Sequence, residues 1–365
     1  MSHILFINHT RELHGAEHVL LQSLQSAHEA GHRVTVVLPS HVPDSGLDAE
    51  VRKWADAILY LPYRPAGDSL LRTWLVRMYN SYAWCRLVNY IRREKVQVVY
   101  SNTIVTVVGV SAARWSRVKH VWHLHELPHG LFGWKVSLVR MYRRLMCYRY
   151  NRIVCISKYQ RSAWEDALGM RLPAEVVYNP IRCLDVKPVA HEGVRMGYLG
   201  AFAKRKNIPM LVQAFEQIHA RYPETELWLC GAKNAGEIEQ IRALSTQESK
   251  SIKVMLATDD VGSFFAQIDI FVLPSFAETM PLVVMEAMQV HVCVLQTTQS
   301  GISELLQHKK DCLFFPPTRT DLLVEQLKAC MDKAYRETLA TNGQKHVQKL
   351  LSNQTYEEDI RRIMR

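Results

Sequence analysis

Short apolar stretches alternate along the chain with longer stretches in which apolar residues recur every three or four positions. In the first half, the apolar stretches cover residues 3–9, 33–40, 58–63, 96–102, 120–126, 152–157 and 174–180. Apolar runs that are bounded by turns and separated by amphipathic stretches predict buried strands alternating with helices. This alternation is typical of βαβ units and a parallel sheet.

The same pattern begins again after a segment that lacks it. Residues 179–193 contain two prolines and show no periodicity, and we interpret them as a linker. Beyond it, predicted strands cover residues 194–200, 226–231, 251–257, 268–275 and 291–297, with a helix from about residue 207. We therefore predict two similar α/β domains in tandem. Ligands of such sheets bind beyond the carboxyl ends of the strands, so the cleft between two such domains is the expected site.

Length and cysteine content agree with this organisation. The chain has 365 residues, 48% of them hydrophobic, which is enough for two domain cores. Its eight cysteines include no C-x-x-C pair and no zinc-type spacing, which predicts buried thiols in a reducing compartment. The first ten residues lack the basic region and cleavage site of a signal peptide. No apolar run reaches the ~20 residues that span a bilayer. We expect a cytoplasmic protein.

The net charge of +10 favours anionic partners. Two segments, 70–95 and 131–150, mix Trp, Tyr and Leu with arginine at helical spacing; their arginines are Arg72, Arg77, Arg86, Arg140, Arg143, Arg144 and Arg149. This composition fits a helix lying on an anionic membrane surface, and it also fits an amphipathic helix whose aromatic stripe packs on the sheet. Both interpretations stay open. No nucleic-acid-binding motif is present, so we expect no nucleic-acid partner.

Two glutamates stand out in the stretch "SFAETMPLVVMEAM" at 275–288, where seven residues separate Glu278 from Glu286. The loop follows a predicted strand, and Pro281 suits the first turn of a helix. Backbone N–H groups near Met280 to Leu282 would then be unpaired, at a helix end that favours phosphate. Carboxylates on both sides of a phosphate site can hold sugar hydroxyls, as a nucleotide sugar would require. The alternative, two solvated glutamates, fits poorly with the apolar run around the second.

The stretch resembles the E-x-x-x-x-x-x-x-E signature of glycosyltransferase family 4, the retaining GT-B enzymes. Four other segments resemble family motifs in the same order: 15–21, 198–215, 229–234 and 300–317. The resemblance implies the GT-B fold, an α/β arrangement of two Rossmann-like domains with parallel sheets facing across a cleft. We assign residues 1–182 to the acceptor domain, 183–345 to the nucleotide-sugar domain, and 346–365 to a terminal helix that crosses back to the first domain. The resemblance also implies sugar transfer without a metal ion or cofactor.

The resemblance also implies roles for individual residues of the second domain. Glu278 would hold hydroxyls of the donor sugar, Glu286 the ribose diol, and Lys206 the diphosphate. The arginine that is usual in the family falls at Ala201, and Arg205 is the candidate to replace it. The alternative for residues 204–206 is a solvated basic turn.

In the first domain, the resemblance points to a glycine loop and a histidine. Gly15 would bind the donor, although His14 stands where a second glycine is usual. His125 is the best match to a histidine near the donor sugar, with His123 and His129 as rivals and ordinary packing as the alternative. The nucleotide base, UDP or GDP, stays open.

We therefore expect a retaining glycosyltransferase that moves a sugar from a nucleoside-diphosphate sugar to a glycan or lipid-linked saccharide. Synthesis of bacterial surface polysaccharide or lipopolysaccharide, at the cytoplasmic face of the inner membrane, is the setting that the resemblance favours. Two alternatives stay open: a catalytically silent nucleotide-sugar-binding protein, suggested by Ala201 and His14, and a sugar-nucleotide epimerase on a related fold.

Overall fold

The computed structural model describes residues 1–65, 70–128, 136–245 and 251–365, with only the backbone for residues 70–73 and 136–138. The chain divides into two compact units, Met1–Pro180 together with Thr355–Arg365, and Ile181–Gln354. The chain passes from the first unit to the second after Pro180, close to the boundary that we expected after residue 182. It returns to the first unit after Gln354, whereas we expected that boundary after residue 345.

In the described residues, the first unit is built on a parallel sheet of seven strands in the order β3-β2-β1-β4-β5-β6-β7. The strands are β1 His3–Ile7, β2 Arg33–Pro39, β3 Ala57–Leu61, β4 Val98–Asn102, β5 Lys119–Leu124, β6 Asn151–Cys155 and β7 Ala174–Val176. The helices between them are α1 Gly15–Glu29, α2 Leu47–Val51, α3 Leu70–Tyr79, α4 Ser81–Arg93, α5 Val107–Ser116, α6 Val136–Met146 and α7 Lys158–Leu168. The central strands β1 and β4 are buried on both faces and appear in the sequence as continuous apolar runs, whereas the edge strands β3 and β7 are mostly only partly buried.

The amphipathic stretch between β3 and β4 forms two helices that are separated by a single polar residue. Asn80 lies between α3 and α4, and its side chain bonds the backbone of Arg64 twice: its Oδ1 accepts from the Arg64 N–H and its Nδ2 donates to the Arg64 carbonyl, each at 2.9 Å. The partner lies in the loop after β3, so local periodicity carries no sign of the break.

The second unit is also a parallel sheet, and its described strands follow the order β10-β9-β8-β11-β12-β13. They are β8 Val194–Leu199, β9 Thr225–Ala232, β10 Ile252–Leu256, β11 Ile270–Leu273, β12 Cys293–Thr297 and β13 Leu313–Phe315. The helices are α8 Ile208–His219, α9 Ala235–Arg242, α10 Val261–Phe265, α11 Leu282–Gln289, α12 Thr320–Ala329 and α13 Lys333–Ser352. Strand β13 was not predicted.

The end of the chain contains two helices. Helix α13 belongs to the second unit, and after a break at residues 353–355 the helix α14, Tyr356–Met364, packs in the first unit. Tyr356, Ile360 and Ile363 recur on one face of α14 and are buried in the same apolar core as Val19 and Leu20 of α1. The prediction of a single terminal helix over 346–365 was therefore wrong, because its first residues belong to α13.

Each sheet reverses its strand order next to its first strand, between β1 and β4 and between β8 and β11. At such a switch point the loops leave the carboxyl ends of two neighbouring strands in opposite directions and open a crevice, where ligands of doubly wound sheets bind. The predicted site residues follow these four strands or their neighbours.

Candidate active site

Two loops meet at the switch point of the second unit. A 3₁₀ turn at Lys204–Lys206 follows β8, and the loop 274–281 follows β11. The N–H of Phe276 donates to the carbonyl of Arg205 at 2.9 Å, which ties the loops together through their backbones. This bond and the pairing of β8 with β11 bring Arg205 and Lys206 beside Glu278, over seventy residues further along the chain.

The loop after β12 also holds the backbone of Glu278. Its N–H donates to the carbonyl of Gln299 at 2.9 Å, and its own carbonyl accepts from the N–H of Gly301 at 3.0 Å. These bonds form a short parallel bridge with Ser300, in the loop after β12. Glu278 is 7% exposed, so its carboxylate occupies a fixed position.

The side chains form a compact ion cluster. Lys206 Nζ lies 2.5 Å from Glu278 Oε1, and Arg205 Nη1 lies 3.4 Å from Oε2. Burial raises the pKa of the Glu278 carboxyl, but the charges of Lys206 and Arg205 outweigh it and hold the pKa below its usual value. Burial lowers the pKa of Lys206, and Glu278 opposes that shift. The half-exposed Arg205 points toward the same carboxylate, which excludes the purely solvated basic turn for these two cations.

Helix α11 begins one residue later than expected. Pro281 caps the helix in an extended conformation, and Leu282 is the first helical residue, so the proline precedes the first turn. The N–H groups of Leu282 and Val283 precede the first hydrogen bond of the helix, in which the Val284 N–H donates to the carbonyl of Pro281 at 3.2 Å. Met280 is buried next to them. The helix end that the sequence predicted is therefore shifted by one residue, and phosphate binding there stays a prediction.

Glu286 lies in the second turn of α11, and it is 8% exposed. Within the described residues its side chain has no hydrogen bond or ion pair, although Arg182 contributes a longer-range attraction. Burial raises the pKa of the Glu286 carboxyl, and Arg182 partly opposes the shift. Arg182 is held there because its carbonyl accepts from the Gln289 side chain at 2.8 Å. Sequence reasoning missed this arginine, since the linker carries no motif. An unpaired, nearly buried carboxylate indicates a ligand site.

The strand ends beside the cations approach each other closely. Gly200 and Gly231 have φ angles of +141° and +148°, and a Cβ at Gly231 would lie 1.9 Å from the Gly200 carbonyl oxygen. Both positions therefore require glycine. Ala201 follows on the surface.

Gly15 is the first residue of α1 in the first unit, and a Cβ there would meet nothing within 4 Å. The preceding His14 has an ordinary extended backbone, so no glycine is needed at that position. Its Nε2 lies 2.9 Å from Glu12 Oε2. The helix end is thus open to a ligand, which is compatible with the predicted role of Gly15 and does not depend on a second glycine.

The three candidate histidines differ in environment. His123 is fully buried in β5 and bonds Tyr100 through Nδ1 at 2.6 Å, which leaves it no access to a ligand. His125 follows β5, is only partly buried, and lies with its Nε2 2.9 Å from Asn102 Oδ1. His129 lies outside the described residues. His125 therefore stays the candidate in this unit.

Glu126, next to His125, turns inward. Its Oε2 accepts from the backbone N–H groups of Ile104 and His125, each at 3.1 Å. Burial raises the pKa of the Glu126 carboxyl to about 7, against these hydrogen bonds. This carboxyl therefore holds the loop after β5. No group of three or more His, Cys, Asp or Glu side chains suited to a metal ion occurs in the described parts of the chain.

Two Rossmann-like units with these switch-point sites define a GT-B protein, and solved GT-B structures share the fold. HepE from Anabaena, crystallised with UDP-glucose, matches with a TM-score of 0.80 at 19% identity over 99% of both chains. Residues 13–183 match the model of Glycosyltransferase Family 4, and residues 193–333 match that of Glycosyl transferases group 1. The chain belongs to this family of glycosyltransferases, as the sequence motifs predicted.

The curated relatives match this chain over only part of their own length. Mannosylfructose-phosphate synthase from Agrobacterium fabrum is 21% identical over 67% of this chain and 64% of the relative. The capsular polysaccharide biosynthesis glycosyltransferase CapM from Staphylococcus aureus is 25% identical over 45% of this chain and 44% of the relative. The matches thus span from under half to just under two thirds of these relatives.

Proposed function

We propose that this protein is a retaining, metal-independent glycosyltransferase that moves a sugar from a nucleoside-diphosphate sugar to a glycan or a lipid-linked saccharide. The observation that carries the proposal is the ion cluster of Lys206, Arg205 and Glu278 at the switch point of the second unit. Lys206 Nζ and Arg205 Nη1 lie 2.5 Å and 3.4 Å from oxygens of the Glu278 carboxylate, at the sheet edge where ligands of doubly wound sheets bind.

Each group has a part in transfer that fits its chemistry. Lys206 and Arg205, with the open amides at the start of α11, stabilise the negative charge that develops on the leaving diphosphate. Glu278 has further acceptor positions for sugar hydroxyls beyond those taken by the cations. Glu286 accepts from the ribose diol. In the first unit, Gly15 leaves the start of α1 open to the donor, and His125 offers a ring nitrogen to a sugar hydroxyl.

The proposed setting is the synthesis of a bacterial surface polysaccharide or lipopolysaccharide. It is supported by the likeness to CapM, which is named for capsular polysaccharide biosynthesis. The likeness to HepE, crystallised with UDP-glucose, makes UDP-sugars the first donors to test.

Transfer is expected to proceed in excess chelator. Thermal shift against UDP- and GDP-sugars identifies the donor, because a ligand at 100 times its Kd stabilises a protein by about 2.7 kcal/mol. Transfer of radiolabelled sugar from that donor to acceptors in bacterial membrane extracts is then measured with and without EDTA. Activity that EDTA abolishes and Mg²⁺ restores would contradict the metal-independent proposal. Donor binding without any transfer would favour the silent binder.

We further propose that the first unit lies on an anionic membrane surface. No helix in the described part of the chain is both long and apolar enough to cross a membrane. Of the basic segments, the stretch 131–135 and the Arg72 side chain lie outside the described residues. In the remaining residues, packing on the sheet and contact with a membrane apply to different faces. Leu87 and Ile91 of α4 are buried, whereas Leu75, Met78 and Tyr82 are more than half exposed.

The exposed side chains support an interfacial role. Leu75, Met78, Tyr79 and Tyr82 are spaced so that they share one exposed side of α3 and the start of α4, and Arg140, Arg143 and Arg144 are exposed on α6. Apolar and aromatic residues beside exposed arginines fit an anionic lipid surface.

The purified protein is therefore expected to sediment with phosphatidylglycerol-containing vesicles and not with neutral phosphatidylcholine vesicles. High salt should release much of it, because charge attraction is screened beyond about 10 Å at 0.1 M salt. Replacing Arg140, Arg143 and Arg144 with Gln should lower the bound fraction, whereas the matched change of Lys328, Lys345 and Lys349 in the second unit should not. Equal binding to both kinds of vesicle would reject the electrostatic account.

A further inference from the structure

A chain of buried polar side chains crosses the switch point of the first unit. Asn8 follows β1 and Asn102 ends β4, and both are 0% exposed. Asn102 Nδ2 lies 3.0 Å from Asn8 Oδ1, and Asn8 Nδ2 lies 3.1 Å from Glu17 Oε1 on α1. At the other end, Asn102 Oδ1 lies 2.9 Å from His125 Nε2. The chain therefore runs from Glu17 to His125 through two amides.

Backbone carbonyls fix the direction of these hydrogen bonds. Asn102 Nδ2 also contacts the carbonyl of Ala16 at 3.2 Å, and Asn8 Nδ2 contacts the carbonyl of Thr10 at 3.0 Å. A carbonyl can only accept, so an NH₂ group of each asparagine must face it. The Oδ1 of Asn102 then faces His125, and it can only accept from the ring. Nε2 of His125 must therefore carry the hydrogen, whatever the protonation state of Glu17.

Neutral His125 consequently has an unprotonated Nδ1, which is a hydrogen-bond acceptor. Burial, with a smaller effect of His9, lowers the pKa of His125 to about 3, which keeps the ring neutral. Within the described residues Nδ1 has no partner. The orientation of the asparagines thus decides which kind of group the histidine can bind.

His120, in the strand that precedes His125, has the environment of a structural histidine. His120 is 0% exposed, and both of its ring nitrogens are bonded, Nδ1 to Asn151 at 2.7 Å and Nε2 to Ser101 at 2.9 Å. His125 is bonded on one nitrogen only and is partly exposed. A purely structural histidine does not need an open nitrogen at the carboxyl end of a strand.

We propose that Glu17, Asn8 and Asn102 are positioning residues that hold His125 as the Nε2-H tautomer, so that its Nδ1 accepts a hydrogen bond from a sugar hydroxyl of the substrate. The inference rests on the proposed function, which supplies the sugar, and it adds three residues that no motif indicated. Other titratable groups near the ring are His9 from the loop after β1, Glu126 in the next position, and His123, whose ring centre is 4.3 Å away.

The tautomer is tested directly by NMR of the full-length protein labelled with ¹⁵N-histidine, with His125→Gln to assign the signal. We expect the wild-type ring to show a protonated Nε2 and an unprotonated Nδ1 at pH 7. In Asn102→Leu the preference should be lost. Tyr100→Phe is the matched control, since Tyr100 lies on the same strand and bonds His123, and it should leave the His125 signals unchanged. A wild-type Nδ1-H tautomer would overturn the proposal even where the leucine variant does not fold.

Kinetics provide the second readout. Asn102→Leu should lower kcat by about tenfold, the loss expected for one hydrogen bond formed in the transition state. Glu17→Gln keeps an acceptor for Asn8 and should retain most of the activity, whereas Glu17→Leu should not. Equal activity of Asn102→Leu and Tyr100→Phe would overturn the positioning role. If the wild type transfers no sugar at all, the proposed function fails, and the NMR signals still decide the tautomer.

Discussion

Replacing Lys206 with alanine is expected to lower turnover at least about tenfold more than it weakens donor binding. Negative charge grows on the diphosphate as the sugar leaves, and an interaction that strengthens with that charge accelerates the reaction beyond its effect on affinity. The Lys206 ammonium lies 2.5 Å from Glu278 and is 13% exposed, so it acts where water screens it little. Arg205, whose side chain is 54% exposed, should contribute less.

The measurement is a comparison of donor Kd, from calorimetry, with kcat in the transfer assay for each variant. Lys204→Ala is the matched control, because Lys204 belongs to the same 3₁₀ turn and is exposed. It should change neither value. An equal loss in Kd and kcat for Lys206→Ala would mean that the lysine binds the ground state and the transition state alike, which would contradict its proposed role.

Stability needs its own control in this experiment. Removing Lys206 leaves the Glu278 carboxylate buried with Arg205 as its remaining partner, and breaking a buried ion pair costs up to about 3–5 kcal/mol. The double variant Lys206→Ala with Glu278→Gln removes the uncompensated charge and should melt higher than Lys206→Ala alone. Kinetic comparisons should therefore be made well below the lower melting temperature.

The parts of the site that the sequence predicted are those in which a run of residues carries the signal. The strand "IDIFVLPS" predicted where its carboxyl end lies, and this placed Glu278 at a sheet edge. The same reasoning on "VRMGYLG" placed Lys206 just beyond the end of another strand. Carboxyl ends of parallel strands lie along one edge of a sheet, so the sequence places both residues at that edge, whereas the structure shows that their two strands are neighbours.

The unpredicted parts depend on single polar residues that meet across long stretches of chain. Asn8 and Asn102 are 94 positions apart and meet because β1 pairs with β4. Arg182 approaches Glu286 only because Gln289 holds the linker. Neither contact produces a periodic pattern in the sequence. The available signal was an asparagine at or directly after the end of two apolar strands, where a polar residue has little reason to be buried without a function.

Glu286→Gln is expected to weaken binding of both the nucleotide sugar and the free nucleoside diphosphate, by about 10- to 100-fold. A hydrogen bond to a charged group contributes about 1.5–3 kcal/mol, and Glu286 is a nearly buried carboxylate without a partner in the described residues. Such a group has acceptor capacity that a ribose diol can use. Calorimetric Kd values for both ligands test the prediction.

The affinity should also depend on pH through this residue. Burial raises the pKa of Glu286 above its ordinary value, and the protonated form is a poorer acceptor than the carboxylate. Nucleotide affinity should therefore be full above that raised pKa and should fall as the pH decreases through it. Glu286→Gln should lack this particular fall, and an unchanged pH profile in the variant would argue against contact with the ribose.

Glu278→Gln should weaken binding of the nucleotide sugar and leave the affinity for the free nucleoside diphosphate unchanged. It serves as the matched variant, since it makes the same substitution in the loop before the helix. Glutamine releases Lys206 from its ion pair, and the freed ammonium remains available to the diphosphate, so binding of the free nucleotide is not expected to weaken. The sugar-bearing donor should bind more weakly, because its hydroxyls lose a charged acceptor. Equal losses of free-nucleotide affinity in the two variants would contradict the division of roles. They would mean that both carboxylates act on the nucleotide, and that neither is reserved for the sugar.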